Sequence, residues 1–245
     1  MRWIYISPHL DDAVLSCGGL IWQQAQNGNH VEIWTVCAGD APPGPLSRLA
    51  KECHKEWGTH TAEETIKLRR EEDQEAASCV GAKVFHFDTP DCIYRRSPGE
   101  ILLYTTSVFT TWNPLETDLP GGIASAITSR LQTNDVLVCP LAIGGHIDHV
   151  LTRQAVETLR HPLFYYADIP YLLSRPKSLA SITAGLAVVI HPVSGDGLRA
   201  WRNGIAAYRS QLTMLFKTTR RMRVVISRYW ESSHGIRLWH VPGSA

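Results

Sequence analysis

The chain has 245 residues, 44% of them hydrophobic and 19% charged, which is ordinary globular composition and excludes a disordered chain. Lys+Arg number 24 and Asp+Glu 23. The resulting net charge of +1 lacks the surplus of a general polyanion binder, so nucleic acid is not an expected partner.

Trp3–Ile6 is a short apolar, aromatic run and predicts a buried strand. The turn Ser7-Pro8-His9-Leu10-Asp11-Asp12 follows, then a helix over Ala13–Gln26 with Gly28 as its stop. Val31–Cys37 predicts a second strand, and 40–48, with three prolines and a glycine, a loop. Leu46–Trp57 and Thr61–Val80 predict helices, the latter ended by Gly81, and Val84–Phe87 a strand. Asp88–Gly99 is loop-like, and helical patterns cover about 100–111 and 121–132. Asp135–Cys139 predicts another buried strand, followed by a Gly-Gly loop, a helix over Val150–Leu159 and a strand over Leu163–Tyr166. Beyond Tyr171 the pattern weakens, giving a strand at Leu186–Ile190, a helix over Gly197–Phe216 and a strand at Ile236–His240.

Strands alternating with helices predict a three-layer α/β/α fold, a Rossmann-like and mostly parallel sheet with a C-terminal extension. A single domain is expected over 1–245, with the catalytic core in 1–170 and the extension in 171–245. The six cysteines (Cys17, Cys37, Cys53, Cys79, Cys92 and Cys139) contain no C-x-x-C pair. They read as reduced thiols rather than a disulfide framework or a zinc ribbon. The N-terminus shows no signal-peptide pattern and no stretch is apolar enough for a membrane span, so a cytoplasmic protein is expected.

His9-x-Asp11-Asp12 stands where the first strand gives way to the first helix, the place where open parallel sheets bind ligands. Positions 9 and 12 can face one point, and imidazole with carboxylate is a donor set for zinc or iron(II). The alternative is that an Asp here merely caps the helix. His146-Ile147-Asp148-His149 repeats the arrangement after the strand Asp135–Cys139. If the two strands are neighbours, the two clusters converge on one pocket.

SPHLDDAVLSCGG resembles the P-H-x-D-D segment of the PIG-L/LmbE-like de-N-acetylases, and GGHIDHVLTRQA resembles their H-x-D-H segment. LRREEDQEAASCVGA is similar to the family's Arg-rich helix. Leu10 stands where proline is usual and Ala13 where glutamate is usual. The resemblance covers roughly residues 1–170. It implies that His9, Asp12 and His149 hold Zn2+, with Fe2+ as the alternative, and that Asp11 is the general base. It further implies that His146 stabilises the oxyanion or acts as the acid, with Asp148 orienting it and raising its pKa. The implied reaction is removal of an N-acetyl group from an N-acetylglucosamine-type sugar or glycoconjugate. A metal phosphoesterase and a non-catalytic sugar-binding homologue are the rival readings, and homo-oligomerisation is left open.

Four further residues are expected to bind substrate. The resemblance puts Arg69 and Asp91 against sugar groups, although KLRREED also fits a solvated helix face and a loop Asp is often a turn former. Tyr166 and Asp168, in YYADIPY, suit a sugar ring and its hydroxyls, the alternative being a packed loop. Tyr94-Arg95-Arg96 could meet an anionic group. Trp22, Trp34 and Trp57 are expected in the core, and the isolated histidines, His54 and His86 among them, are expected to be structural.

Overall fold

Ile4, Tyr5 and Ile6 are completely buried in the first strand, β1 (Arg2–Ser7), as a central parallel strand covered on both faces must be. The computed structural model describes residues 1–174 and 178–243. After β1 come α1 (Asp12–Gln26), β2 (His30–Thr35), α2 (Arg48–Trp57), α3 (Ala62–Val80), β3 (Lys83–His86), α4 (Leu119–Thr128) and β4 (Asp135–Pro140). They are followed by α5 (Ile147–Glu157), β5 (Leu163–Tyr166), α6 (Tyr171–Ser174), α7 (Ser178–Ile182), β6 (Ala187–Pro192), α8 (Gly195–Ala207), α9 (Arg209–Phe216), α10 (Thr219–Glu231) and β7 (Gly235–His240).

The seven strands form one sheet in the order β3-β2-β1-β4-β5-β7-β6. The first five pair in parallel, while β7 pairs antiparallel with both β5 and β6. The chain winds outward from β1 to β3, then returns to β4 on the other side of β1. A crevice therefore opens between the carboxyl ends of β1 and β4, which pair directly with Tyr5 opposite Val138. On one face Val14, Cys17, Ala76, Val80, Trp201 and Ile205 join α1, α3 and α8 to the sheet. On the other, Ile123, Ile127, Ala155 and Val156 join α4 and α5. A third cluster, with Trp57, Ile66, Tyr94, Tyr104 and Ile147, links α2, α3 and α5 to the irregular stretch after β3.

The extension is seated on α1 by one close contact. A Cβ at Gly18 would lie 2.6 Å from the Trp201 ring, so glycine lets α8 approach. The Trp201 indole N–H donates to the carbonyl of Val14 at 2.8 Å.

Three stretches differ from the sequence expectation. The pattern at 100–111 forms no helix; its Ser/Thr-rich chain is held instead by Tyr104, whose hydroxyl donates to Glu116 at 2.5 Å and accepts from the Asn113 N–H at 3.1 Å. The helix expected over Gly197–Phe216 breaks at Tyr208 into α8 and α9, where the buried hydroxyl donates to Asp73 at 2.7 Å. Helix α10 was not expected; Met222 and Ile226 bury an i,i+4 stripe between arginines.

Candidate metal and active site

Both motif clusters sit at helix starts facing the crevice. Asp11 precedes α1, and its side chain makes no capping bond, so helix capping does not account for it. Ser7 takes that part, its hydroxyl accepting from the Ala13 N–H at 3.0 Å. At β4, Gly144 and Gly145 take left-handed φ values of 92° and 73° to turn the chain into α5, which His146 caps by accepting from the Asp148 N–H at 3.2 Å.

The three imidazoles then meet. Ligand-capable atoms of His9, His146 and His149 lie within 4.8 Å of one another, and all three side chains are buried. His9 Nε2 lies 2.9 Å from Asp148 Oδ2, and His149 Nδ1 lies 2.6 Å from Asp168 Oδ1. A carboxylate only accepts, so each of these nitrogens carries the proton and donates. The other nitrogens, His9 Nδ1 and His149 Nε2, then face Asp12 Oδ2 at 3.2 and 3.3 Å. Among the described residues, none hydrogen-bonds the buried His149 Nε2. Once each ring gives up its second proton, these two nitrogens and a carboxylate oxygen, with a carboxylate behind each ring, fit a divalent metal ion.

Charge in this site is strongly uneven. Burial would lower His9, but Asp91, Asp12 and Asp148 outweigh it and hold it well above the usual imidazole range. Burial likewise opposes His149, which Asp12 and Asp168 push up to about 9. Burial raises Asp12, yet His149 and His9 leave it well below the usual carboxylate range. Asp11 goes the other way: burial and the Asp12 charge push it up to about 7, against the pull of Arg69 and His9.

A cavity of about 280 Å³ opens above the cluster. Its polar residues are His9, Asp11, Asp12, Arg69, Asp91, His146 and Gln211, and its walls include Trp57, Phe109, Tyr171, Met214 and Leu215. Arg69 is not on a solvated face: it is buried, stacks over the Trp57 ring at 4.7 Å and lies 3.5 Å from Asp91 Oδ2. Asp91 forms its turn, accepting from the Ile93 N–H at 3.2 Å, and still presents the other oxygen to the cavity wall.

Several expected roles need correction. Tyr166 is fully buried, and its hydroxyl donates to the Ile6 carbonyl at 3.1 Å, so it reaches no substrate. Asp168 lies behind His149, its second oxygen taken by the Ile143 N–H at 3.0 Å. The Asp148 carboxylate does not orient His146; it holds His9 and accepts from Arg95 at 2.5 Å and the Cys92 N–H at 3.0 Å. His146 is lowered well below the usual range, by burial and then the two neighbouring imidazoles, although Asp148 raises it. Arg95 is spent on Asp148 and Glu116, and Arg96 on the Pro45 and Glu100 carbonyls, so neither offers an open anion site. Trp57 belongs to the core, as expected, and one side of it also lines the cavity. Cavity residues that the sequence did not suggest include Phe109, Gln211, Met214 and Leu215; on α9 the last three fall at i, i+3 and i+4, a one-face spacing visible once the helix is known.

Fold and cluster together define an α/β protein with a carboxylate- and imidazole-lined crevice at the switch point of its sheet. The family model for PIG-L, GlcNAc-PI de-N-acetylase, matches residues 4–159, and the chain belongs to that family. The 2'-N-acetylparomamine deacetylases of Niallia circulans and Streptomyces fradiae are 26% and 28% identical to it. Each alignment covers 69% of this chain; they cover 67% and 57% of the two relatives, so the chain spans less than two thirds of the second. The zinc-inhibited form of teicoplanin deacetylase Orf2 superposes with a TM-score of 0.82 at 26% identity, over 98% of this chain and 97% of that one. No helix among the described residues is long and apolar enough to cross a membrane.

Proposed function

We propose that this protein is a metal-dependent deacetylase that hydrolyses the N-acetyl group of an N-acetylglucosamine-type or related amino sugar. The observation that carries the reading is the convergence of His9 Nδ1 and His149 Nε2 on Asp12 Oδ2, with the Asp11 carboxylate, not used as a helix cap, next in sequence and an open cavity above. His9, Asp12 and His149 are the residues to hold the metal, zinc or iron(II). Such an ion supplies Lewis-acid polarisation of the acetyl carbonyl and acidifies a water. We read 1–245 as one domain, and six free cysteines suit the cytoplasm.

The chain's own groups divide the remaining work. Asp11, with a pKa near 7, is poised to take the proton of the attacking water and to pass it to the leaving amine. His146 accepts a backbone N–H at Nδ1, so in its neutral form the proton sits on Nε2. It therefore serves as a neutral hydrogen-bond donor to the developing oxyanion, rather than as an imidazolium acid. Arg69 and Asp91 are placed to bind sugar hydroxyls, and Asp148 and Asp168 hold the two ligand rings.

The test is a panel of N-acetylated sugars and their glycosides incubated with metal-loaded protein, reading free amine and acetate. Release that disappears on chelation and returns with metal is expected. No release above the chelated control from any member would refute the deacetylase reading.

A further inference from the structure

Two consecutive acids of α3 are buried and reach the C-terminal extension. Glu72 and Asp73 are each 1% exposed and follow Arg69 at i+3 and i+4, so all three share one side of the helix. Asp73 accepts from the Thr35 hydroxyl at 3.1 Å and the Tyr208 hydroxyl at 2.7 Å, and lies 2.9 Å from His86 Nε2. Glu72 takes the start of α9. Its Oε1 accepts from the Ser210 N–H at 2.9 Å and its Oε2 from the Ser210 hydroxyl at 2.6 Å. No side-chain bond at Tyr208 caps α9, so a carboxylate 138 residues away supplies the acceptor that the first turn lacks.

That contact also orients the next residue. Gln211 is 1% exposed and lines the cavity. Its amide lies 2.8 Å from Ser210 Oγ, and the placement of protons decides which end faces it. A carboxylate only accepts, so the Ser210 hydroxyl proton goes to Glu72. Ser210 Oγ can then only accept, and Gln211 must turn Nε2 toward it. The amide oxygen is left over. No group among the described residues donates to Gln211 Oε1, and a buried acceptor needs a donor, which only an occupant of the cavity can bring. The charged groups of the same lining already face one another: Arg69 faces Asp91, and His9 faces Asp12 and Asp91. Gln211 is uncharged, so it selects by proton donation and not by the sign of charge.

We infer that Gln211 is a specificity-determining residue of this site, its amide oxygen accepting a hydrogen bond from one hydroxyl of the amino sugar, and that Glu72 and Ser210 are positioning residues that hold this oxygen toward the cavity. The inference rests on the deacetylase reading and refines it: the substrate is an amino sugar in which that hydroxyl is free. A sugar that cannot donate there leaves a buried acceptor unmet, which is how a polar site rejects an analogue of the same shape. Because α3 carries both Arg69 and Glu72, one helix sets a charged group and, through Ser210, a neutral one around the same cavity.

Four sugars test it: the methyl glycoside of N-acetylglucosamine and its 3-, 4- and 6-deoxyfluoro analogues, in which fluorine fills the place of a hydroxyl but has no proton to donate. With metal-loaded protein, kcat/KM should fall about 3–10-fold at the position that Gln211 reads, the worth of one neutral hydrogen bond. Gln211→Met, of similar length, should lower kcat/KM on the parent sugar by a like factor, through KM. It should abolish the fluoro effect at that one position and leave the other two ratios unchanged. Glu72→Gln carries a second expectation. Its single amide oxygen must stay on the Ser210 N–H, so its NH2 meets Ser210 Oγ, whose proton then goes to Gln211 Oε1 and turns that amide round. The fluoro effect at the same position should shrink in Glu72→Gln and in Ser210→Ala and persist in Ser210→Thr, which keeps the hydroxyl. If Gln211→Met does not fold, these variants decide by the same ratios. Calorimetric titration of the metal-loaded proteins with the four sugars separates the two claims. A one-position loss of binding that Gln211→Met abolishes, without acetate release, overturns the deacetylase reading and leaves the inference standing. Acetate release with the same three ratios in the parent, Gln211→Met and Glu72→Gln overturns the inference and leaves the deacetylase reading standing. Absence of both binding and turnover overturns both.

Discussion

Replacing Arg95 by methionine removes the cation that joins the segment after β3 to the crevice. Arg95 is 5% exposed, donates to Glu116 Oε1 and Asp148 Oδ1 at 2.5 Å each, and packs over the Tyr104 ring at 5.4 Å. Methionine keeps much of the stem's packing but strands two buried carboxylates. Breaking a buried pair in this way costs about 3–5 kcal/mol. For a domain of this size each kcal/mol shifts Tm by about 2–4 °C, so the variant should melt roughly 6–20 °C below the parent at pH 8. The pH dependence has a definite sign. Burial raises Asp148, but Arg95 and His9 hold it well below the usual carboxylate range, so its contribution is present above the unfolded pKa and is lost only in strong acid. Without Arg95 its pKa rises, the carboxyl takes a proton as pH falls, and the deficit should narrow from pH 8 to pH 5. Thermal melts in parallel buffers measure this, with Arg48→Met, at the exposed pair with Glu52, as the control that melts with the parent. A variant melting within about 2 °C of the parent, or with the same deficit at both pH values, would refute the reasoning.

Asp11→Asn should retain stoichiometric metal by elemental analysis and lose about 10²–10⁴-fold in kcat, together with the rising limb near pH 7 that an ionised Asp11 confers; unchanged turnover removes it as the base. Because His149 is held up to about 9, it is protonated in the metal-free protein at neutral pH and must lose that proton to become a ligand. Zinc affinity should therefore rise from pH 6 to 9, with proton release visible as a buffer-dependent binding enthalpy; a buffer-independent enthalpy contradicts this. Asp168→Asn, which weakens the support behind His149, should cost about 10–100-fold in zinc affinity by chelator competition, and equal affinity would show that the contact is dispensable. Gly18→Ala, with its Cβ driven into the Trp201 ring, should destabilise the fold by about 1–3 kcal/mol in urea melts, and a neutral result would mean that α8 yields there.

The parts of the fold that could be read from sequence were those set by local pattern. Strands such as Leu163–Tyr166 and the capped helix α3, with Thr61 accepting from the Glu64 N–H and Gly81 at a φ of 73°, carry their own boundaries. His9, Asp11, Asp12, His146, Asp148 and His149 were visible for the same reason, each trio lying within four residues at a strand end. What escaped depended on distant partners. The Asp148 carboxylate is claimed by His9, 139 residues away, and by Arg95, 53 away, so its expected bond to nearby His146 does not form. Tyr208 ends α8 through Asp73, 135 residues away. Tyr166 looked like a sugar platform because an aromatic residue at a strand end reads alike whether it points into the core or the cavity. Only the pairing register and the Ile6 carbonyl decide.

The position of β7 also bears on how the chain is made. β5 is complete at Tyr166, but its far edge pairs with β7, which begins only at Gly235. A ribosome adding about 5–20 residues per second needs ~4–15 s to cover that interval. For that time the edge of β5 has no partner strand beside Phe164 and Tyr166. When β7 arrives it must insert between β5 and β6 rather than add outside them. The growing chain is thus most open to strand-on-strand aggregation while its extension is being synthesised, and slow translation there would lengthen that exposure.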